Sequence, residues 1–105
     1  MTIETIRQAV NATREALKDE MTFPEVYLFG SYASGNPSQD SDIDLCFLSG
    51  KSVDPWQAQI EVRKVIFDRL DTPLDILVFE RMDFLNRASL VSTLEHEIVA
   101  TGIAI

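Results

Sequence analysis

Apolar and polar positions recur along this chain with two different periods, and the changes of period mark its elements. From Thr2 to about Glu20 the residues Ile3, Ile6, Ala9, Val10, Thr13, Ala16 and Leu17 return at three- and four-residue spacing, which predicts a helix with one apolar face. Thr2 offers an N-cap oxygen and Glu4 a favourable charge in the first turn, so this helix reads as a structural brace. Phe23-Pro24 ends the segment. Glu25 to Gly30, EVYLFG, is then dense in aromatic and aliphatic residues and predicts a strand buried on both faces.

Residues Ser31 to Ser41 carry Gly35, Asn36, Pro37 and several serines, and predict a loop with one helical turn near Tyr32 to Ser34. Asp42 to Leu48 predicts a second strand, which makes a hairpin-like unit with the first. Ser49 to Val53 connects it to a helix opened by Asp54 as N-cap and Pro55 at the first helical position. That helix carries Trp56, Ile60, Val62, Val65, Ile66 and Leu70 to about Asp71, where Thr72-Pro73 stops it. Leu74 to Phe79, LDILVF, predicts a third strand. Two short helices are expected in the tail, Arg81 to Arg87 and Ser89 to Ala100, the second aligning Leu90, Leu94 and Ile98, and Ile103 to Ile105 a last strand fragment. The order of elements predicts an α/β (α+β) fold: a mixed sheet flanked by helices, as one domain over residues 1–105.

Charge narrows the function classes. Seventeen acidic residues against nine basic ones give a net charge of -8. Nucleic-acid binding rests on Lys and Arg neutralising phosphates, so such a surface argues against it; it favours a cationic partner and attracts divalent metals that bridge to a phosphate. The one cysteine, Cys46, cannot close a disulfide within the chain, no secretory signal opens it, and no apolar run reaches the 18 or so residues of a membrane span. The expectation is a soluble cytoplasmic protein.

Candidate chemistry concentrates in Leu28 to Leu48, LFGSYASGNPSQDSDIDLCFL. Residues i and i+2 of a strand share a face, so Asp42 and Asp44 point the same way, opposite to Ile43, Leu45 and Phe47. Two such carboxylates repel each other unless a cation neutralises them, and magnesium prefers hard oxygen ligands of this kind together with substrate phosphates. Asp75, the carboxylate inside the third strand, is the third candidate ligand. Gly30-Ser31 supplies the opposite half: backbone N–H groups at a strand-to-helix turn hold an anion, glycine permits its close approach, and Ser31 adds a hydroxyl donor. Among the other notable side chains, Tyr32 is expected to pack over the loop, Trp56 and Phe84 to anchor the core, Cys46 to be a buried small hydrophobe and His96 to be solvated.

The run G-S-Y-A-S-G, five further residues, then S-D-I-D-L resembles the G-S-x10-D-x-D signature of the DNA polymerase β-like nucleotidyltransferases, and the small chain is similar to their minimal branch. Gly30, Ser31, Asp42 and Asp44 align with the signature, and Asp75 with the third strand carboxylate. The resemblance covers Val26 to Phe79, and more loosely Leu94 to Ile105. Where many members carry Arg in the loop, this chain has Ser34, which removes a guanidinium.

The resemblance implies transfer of AMP from ATP to an acceptor hydroxyl with release of pyrophosphate, assisted by two magnesium ions. Asp42 and Asp44 would hold both metals, with Asp75 binding one of them and helping to deprotonate the acceptor. It also implies an antitoxin role beside a HEPN-domain RNase toxin modified with AMP, in a homo- or hetero-oligomer. Two other functions fit the same residues: a non-catalytic protein that neutralises a toxin by covering it, and a catalytic subunit acting on a small molecule beside a separate substrate-binding subunit.

Overall fold

The structure, a computed structural model, describes residues 2–38 and 40–105. The first helix, α1, spans Ile3–Ala16, and the Thr2 hydroxyl accepts from the Thr5 N–H at 3.1 Å as its N-cap. Its buried stripe is Ile6, Ala9, Val10 and Thr13. Thr13 tolerates burial because its hydroxyl donates to the Ala9 carbonyl at 2.8 Å. The helix closes at Ala16, short of the expected Glu20, because the backbone at Leu17 leaves the helical region.

Strand β1, Glu25–Phe29, and strand β2, Ile43–Ser49, are antiparallel, joined through a four-residue helix α2, Ser31–Ser34. Helix α3, Pro55–Ile66, follows, with the Asp54 carboxylate accepting from the Trp56 N–H at 3.0 Å. It gives way to a 3-10 turn over Phe67–Arg69 instead of continuing to Asp71. Strand β3, Leu74–Glu80, lies parallel to β2, the arrangement that a helical crossover such as α3 permits. Helices α4, Arg81–Ala88, and α5, Leu94–Thr101, lead to β4, Ile103–Ala104, which pairs antiparallel with β1. The sheet order is β3-β2-β1-β4. A mixed four-stranded sheet and five helices among the described residues make the α+β fold that the sequence predicts.

Strand alternation divides the interior in two. One face of the sheet presents Val26, Leu28, Ile43, Leu45, Phe47, Ile76 and Val78 to α1 and α3, with Phe23 edge-on to Phe47 at 5.1 Å. The other presents Cys46 and Leu48 to Phe84 of α4 and Ile98 of α5, and Phe79 packs on Phe84 at 5.5 Å. Cys46 and Phe84 are fully buried, as expected.

Three further expectations fail. Trp56 is 70% exposed. It stands two residues before Ala58, the first of the buried Ala58, Val62, Ile66 stripe, and so lies about 200° around the helix from it. Ser89 to Thr93 form no helix: α5 starts at Leu94, with the Thr93 hydroxyl accepting from the His96 N–H at 3.1 Å, so Leu90 and Leu94 stay exposed and only Ile98 is buried. His96 is half-buried instead of solvated, its Nδ1 lying 2.9 Å from the Ala88 carbonyl. Among the described residues no helix is long and apolar enough to cross a membrane.

Candidate active site

The topology brings the sequence-predicted residues to one end of the sheet. Because β1 and β2 run antiparallel, the last residue of β1 pairs with the second of β2, Phe29 with Asp44. Because β2 and β3 run parallel, Asp44 pairs in turn with Asp75. Paired positions in register project to the same face, so both carboxylates stand on the α4 and α5 side, on strands spaced about 4.8 Å apart. Asp42 lies one residue before β2 instead of within it, and is exposed, as is Asp75; Asp44 is half-buried.

Gly30 forms the other wall. Its φ of 74° and ψ of -153° suit a residue without a side chain, and a Cβ here would overlap Oδ2 of Asp44. The backbone therefore passes the carboxylate at a distance only glycine allows. Ser31 opens α2, whose turn is closed by the Ala33 and Ser34 N–H groups donating to the Gly30 carbonyl, each at 3.1 Å. The Ser34 hydroxyl donates to the Ser31 carbonyl at 3.0 Å, so it serves the turn from within. Tyr32 is partly buried and packs against the main core.

The electrostatics mark Asp44. Burial raises its pKa first, and the charges of Asp75 and then Asp42 raise it further. None of the ion pairs among the described residues involves Asp42, Asp44 or Asp75. Nor do three or more acidic, His or Cys side chains stand close enough there to hold an ion by themselves. The donor set nevertheless fits magnesium, which is commonly bound by one or two carboxylates with substrate phosphates completing its coordination. Hard carboxylate oxygens on neighbouring strands, engaged by none of the ion pairs among the described residues, meet that requirement.

Of two concavities in the molecule, one adjoins the site. A cleft of about 400 Å³ between α2 and α5 is lined by Phe29, Gly30, Ser34, Glu97, Ile98 and Thr101. Of these the sequence marks Gly30 and Ser34 as part of the loop motif and Ile98 only as part of an apolar helix face. Glu97 and Thr101 belong to a helix seventy residues downstream, and no local pattern sets them apart from a solvated helix face. A larger cavity of about 720 Å³ lies at the end of α3, lined by Arg63, Lys64, Phe67, Leu70 and Leu74 among others. Leu74 faces the main core, so this cavity opens away from the face that carries Asp44 and Asp75.

A mixed sheet carrying a Gly-Ser turn against carboxylates on two neighbouring strands defines a nucleotidyl-transfer type of domain. The chain belongs to the polymerase β-type nucleotidyltransferases: the family described as "Polymerase beta, Nucleotidyltransferase" matches residues 11–105. No curated protein matches the sequence. Among solved structures, a toxin–antitoxin complex with AMP-PNP is similar at 26% identity and a TM-score of 0.60, over 90% of this chain and 69% of that one. A mutant MntA-HpeT toxin–antitoxin complex is similar at 26% identity and a TM-score of 0.58, over 91% of this chain and 70% of that one. A proposed nucleotidyltransferase from Sulfolobus solfataricus shares the fold alone, at 21% identity and a TM-score of 0.52, over 80% of this chain and 70% of that one.

Proposed function

We propose that this protein is a magnesium-dependent nucleotidyltransferase that moves AMP from ATP to a hydroxyl of a partner protein, as the antitoxin of a pair whose toxin is a HEPN-domain RNase. The observation that carries the catalytic reading is Gly30 pressed against Asp44, with Asp75 in register beside it. Backbone N–H groups and carboxylates so close together suit a metal-bound triphosphate better than either would suit a ligand alone. Likeness to toxin–antitoxin complexes, one of them solved with AMP-PNP, supports the nucleotide and the partner class.

Gly30 and Ser31 hold the outer phosphates of ATP. Asp42 and Asp44 would hold two magnesium ions, with Asp75 as a further ligand to one of them. When bound there, magnesium would offset the repulsion between the carboxylates and supply stabilisation of charge on the attacking and leaving oxygens. The acceptor oxygen attacks the α-phosphorus as the bond from that phosphorus to the bridging oxygen of pyrophosphate breaks. Asp75, exposed on the edge strand, takes the acceptor's proton and passes it to water.

A second reading, a non-catalytic protein that neutralises its toxin by covering it, is favoured by Ser34, whose hydroxyl serves the turn where many relatives place a guanidinium. One experiment separates the two. Labelled ATP, magnesium and the purified product of the neighbouring reading frame are incubated with wild type and with Asp42→Asn. Catalysis predicts label on the partner and a loss of about 100-fold or more in the variant. Neutralisation that survives Asp42→Asn combined with Asp44→Asn, with no label transferred by wild type, makes binding the better account.

A further inference from the structure

We infer that the cleft between α2 and α5 is the nucleoside half of the nucleotide site, with Glu97 as its specificity-determining residue; the inference rests on the nucleotidyltransferase reading above. Gly30 touches Asp44 and also lines this cleft, so the carboxylate and the cleft meet at one residue. A ligand whose phosphates lie on the Gly30-Ser31 turn therefore reaches the cleft without crossing any other element.

The lining decides which end of the ligand enters. Glu97 is exposed at the mouth, and none of the ion pairs among the described residues engages it. An unneutralised carboxylate repels phosphate and accepts hydrogen bonds from neutral donors such as ribose hydroxyls or an exocyclic amino group. Half-buried Phe29 offers the apolar contact for the flat face of a base, and fully buried Ile98 lies behind the cleft wall without a surface of its own. The Thr101 hydroxyl already donates to the Glu97 carbonyl at 2.8 Å, so Thr101 contributes shape more than polarity. The volume of about 400 Å³ lies in the range of small-molecule sites. Phosphates against the turn and nucleoside in the cleft give the substrate one orientation, with Glu97 reading whichever donor the nucleoside presents.

Calorimetric titration of the full chain with Mg-ATP and, separately, with Mg-pyrophosphate tests this. Both Glu97 and Thr101 are exposed, so Glu97→Ala and Thr101→Trp leave the core intact, which thermal melts check. The first should weaken Mg-ATP about tenfold, the cost of one hydrogen bond to a charged acceptor. The second, by filling the cleft, should weaken it at least as much; neither should change affinity for pyrophosphate, which ends at the turn. Titrations with Mg-dATP and Mg-GTP tell whether the donor read is on the ribose or the base: the analogue lacking it loses affinity for wild type and not for Glu97→Ala. Both variants binding Mg-ATP as tightly as wild type overturns the cleft assignment while pyrophosphate binding upholds the site. Wild type binding neither ligand overturns the nucleotidyltransferase reading, and this inference with it.

Discussion

Half-buried Asp44 faces Asp75 across one strand spacing and Asp42 along the chain, and its pKa is raised, by burial first and then by those two charges. An acid whose folded pKa lies above its unfolded one holds its proton longer in the folded state. Its effect on stability is therefore absent in acid and becomes a growing penalty as pH climbs from the ordinary carboxylate range through the raised value. Without metal the whole penalty applies once the pH lies above the raised value. Asp44→Asn should raise the thermal midpoint by a few degrees at pH 7 in metal-free buffer, and the advantage should vanish below the ordinary carboxylate range. Magnesium chloride should raise the midpoint of wild type and not that of the variant, since only a ligand bound to the folded state stabilises it. A variant less stable than wild type at pH 7 would mean that Asp44 holds the fold together, contrary to the site described. The spacing of Asp42 and Asp44 was legible in the sequence because a strand's period of two needs no tertiary information. The collision between a Gly30 side chain and Asp44 was not, because it depends on the register of β1 against β2.

Edge strand β3 is protected by a device that no periodicity reveals. The Ile43 N–H donates to the Pro73 carbonyl at 2.9 Å, so alternate carbonyls from Pro73 onward point at β2 and those of Leu74 and Ile76 point outward. Gln59 donates to the Ile76 carbonyl at 2.8 Å and Arg63 to that of Leu74 at 3.3 Å. These residues stand one helical turn apart on α3, matching carbonyls two residues apart on the strand, and they occupy acceptors that would otherwise pair with another chain. Replacing both, Gln59→Leu with Arg63→Met, should cost about 1–2 kcal/mol in urea denaturation and promote self-association in sedimentation velocity. Unchanged stability and a monodisperse boundary would show these bonds to be idle. The sequence did reveal α3 itself, through Asp54-Pro55 and its apolar spacing, yet it misplaced Trp56. Size suggested an anchor, but phase on the helix governs burial, and a large apolar side chain is free to remain outside. The tail misled for a related reason: Leu90, Leu94 and Ile98 share a spacing, but Thr93 caps a helix that begins only after Leu90.

Across the whole molecule, stability and chemistry occupy opposite faces of one sheet. Among the described residues, seventeen buried apolar residues join the sheet to α1 and α3, whereas four join it to α4 and α5. Asp44, Asp75 and the cleft all belong to the second face, where few apolar contacts resist local opening. Buried Glu95 on α5 is tied to Arg87 on α4, so those two helices are linked to each other as well as to the sheet. Native-state hydrogen exchange should then report two tiers of protection. Amides in the middle of α1, α3 and β2 should exchange only by global unfolding, and those of α4 and α5 at least about tenfold faster, about 1.4 kcal/mol less opening free energy. Mg-ATP should slow α2 and α5 selectively, because a nucleotide spanning the turn and the cleft joins the two elements that border them. Uniform protection in the free protein would show that the smaller cluster is as firm as the larger. Protection by Mg-ATP confined to α2 would leave the nucleotide on the Gly-Ser turn and outside the cleft.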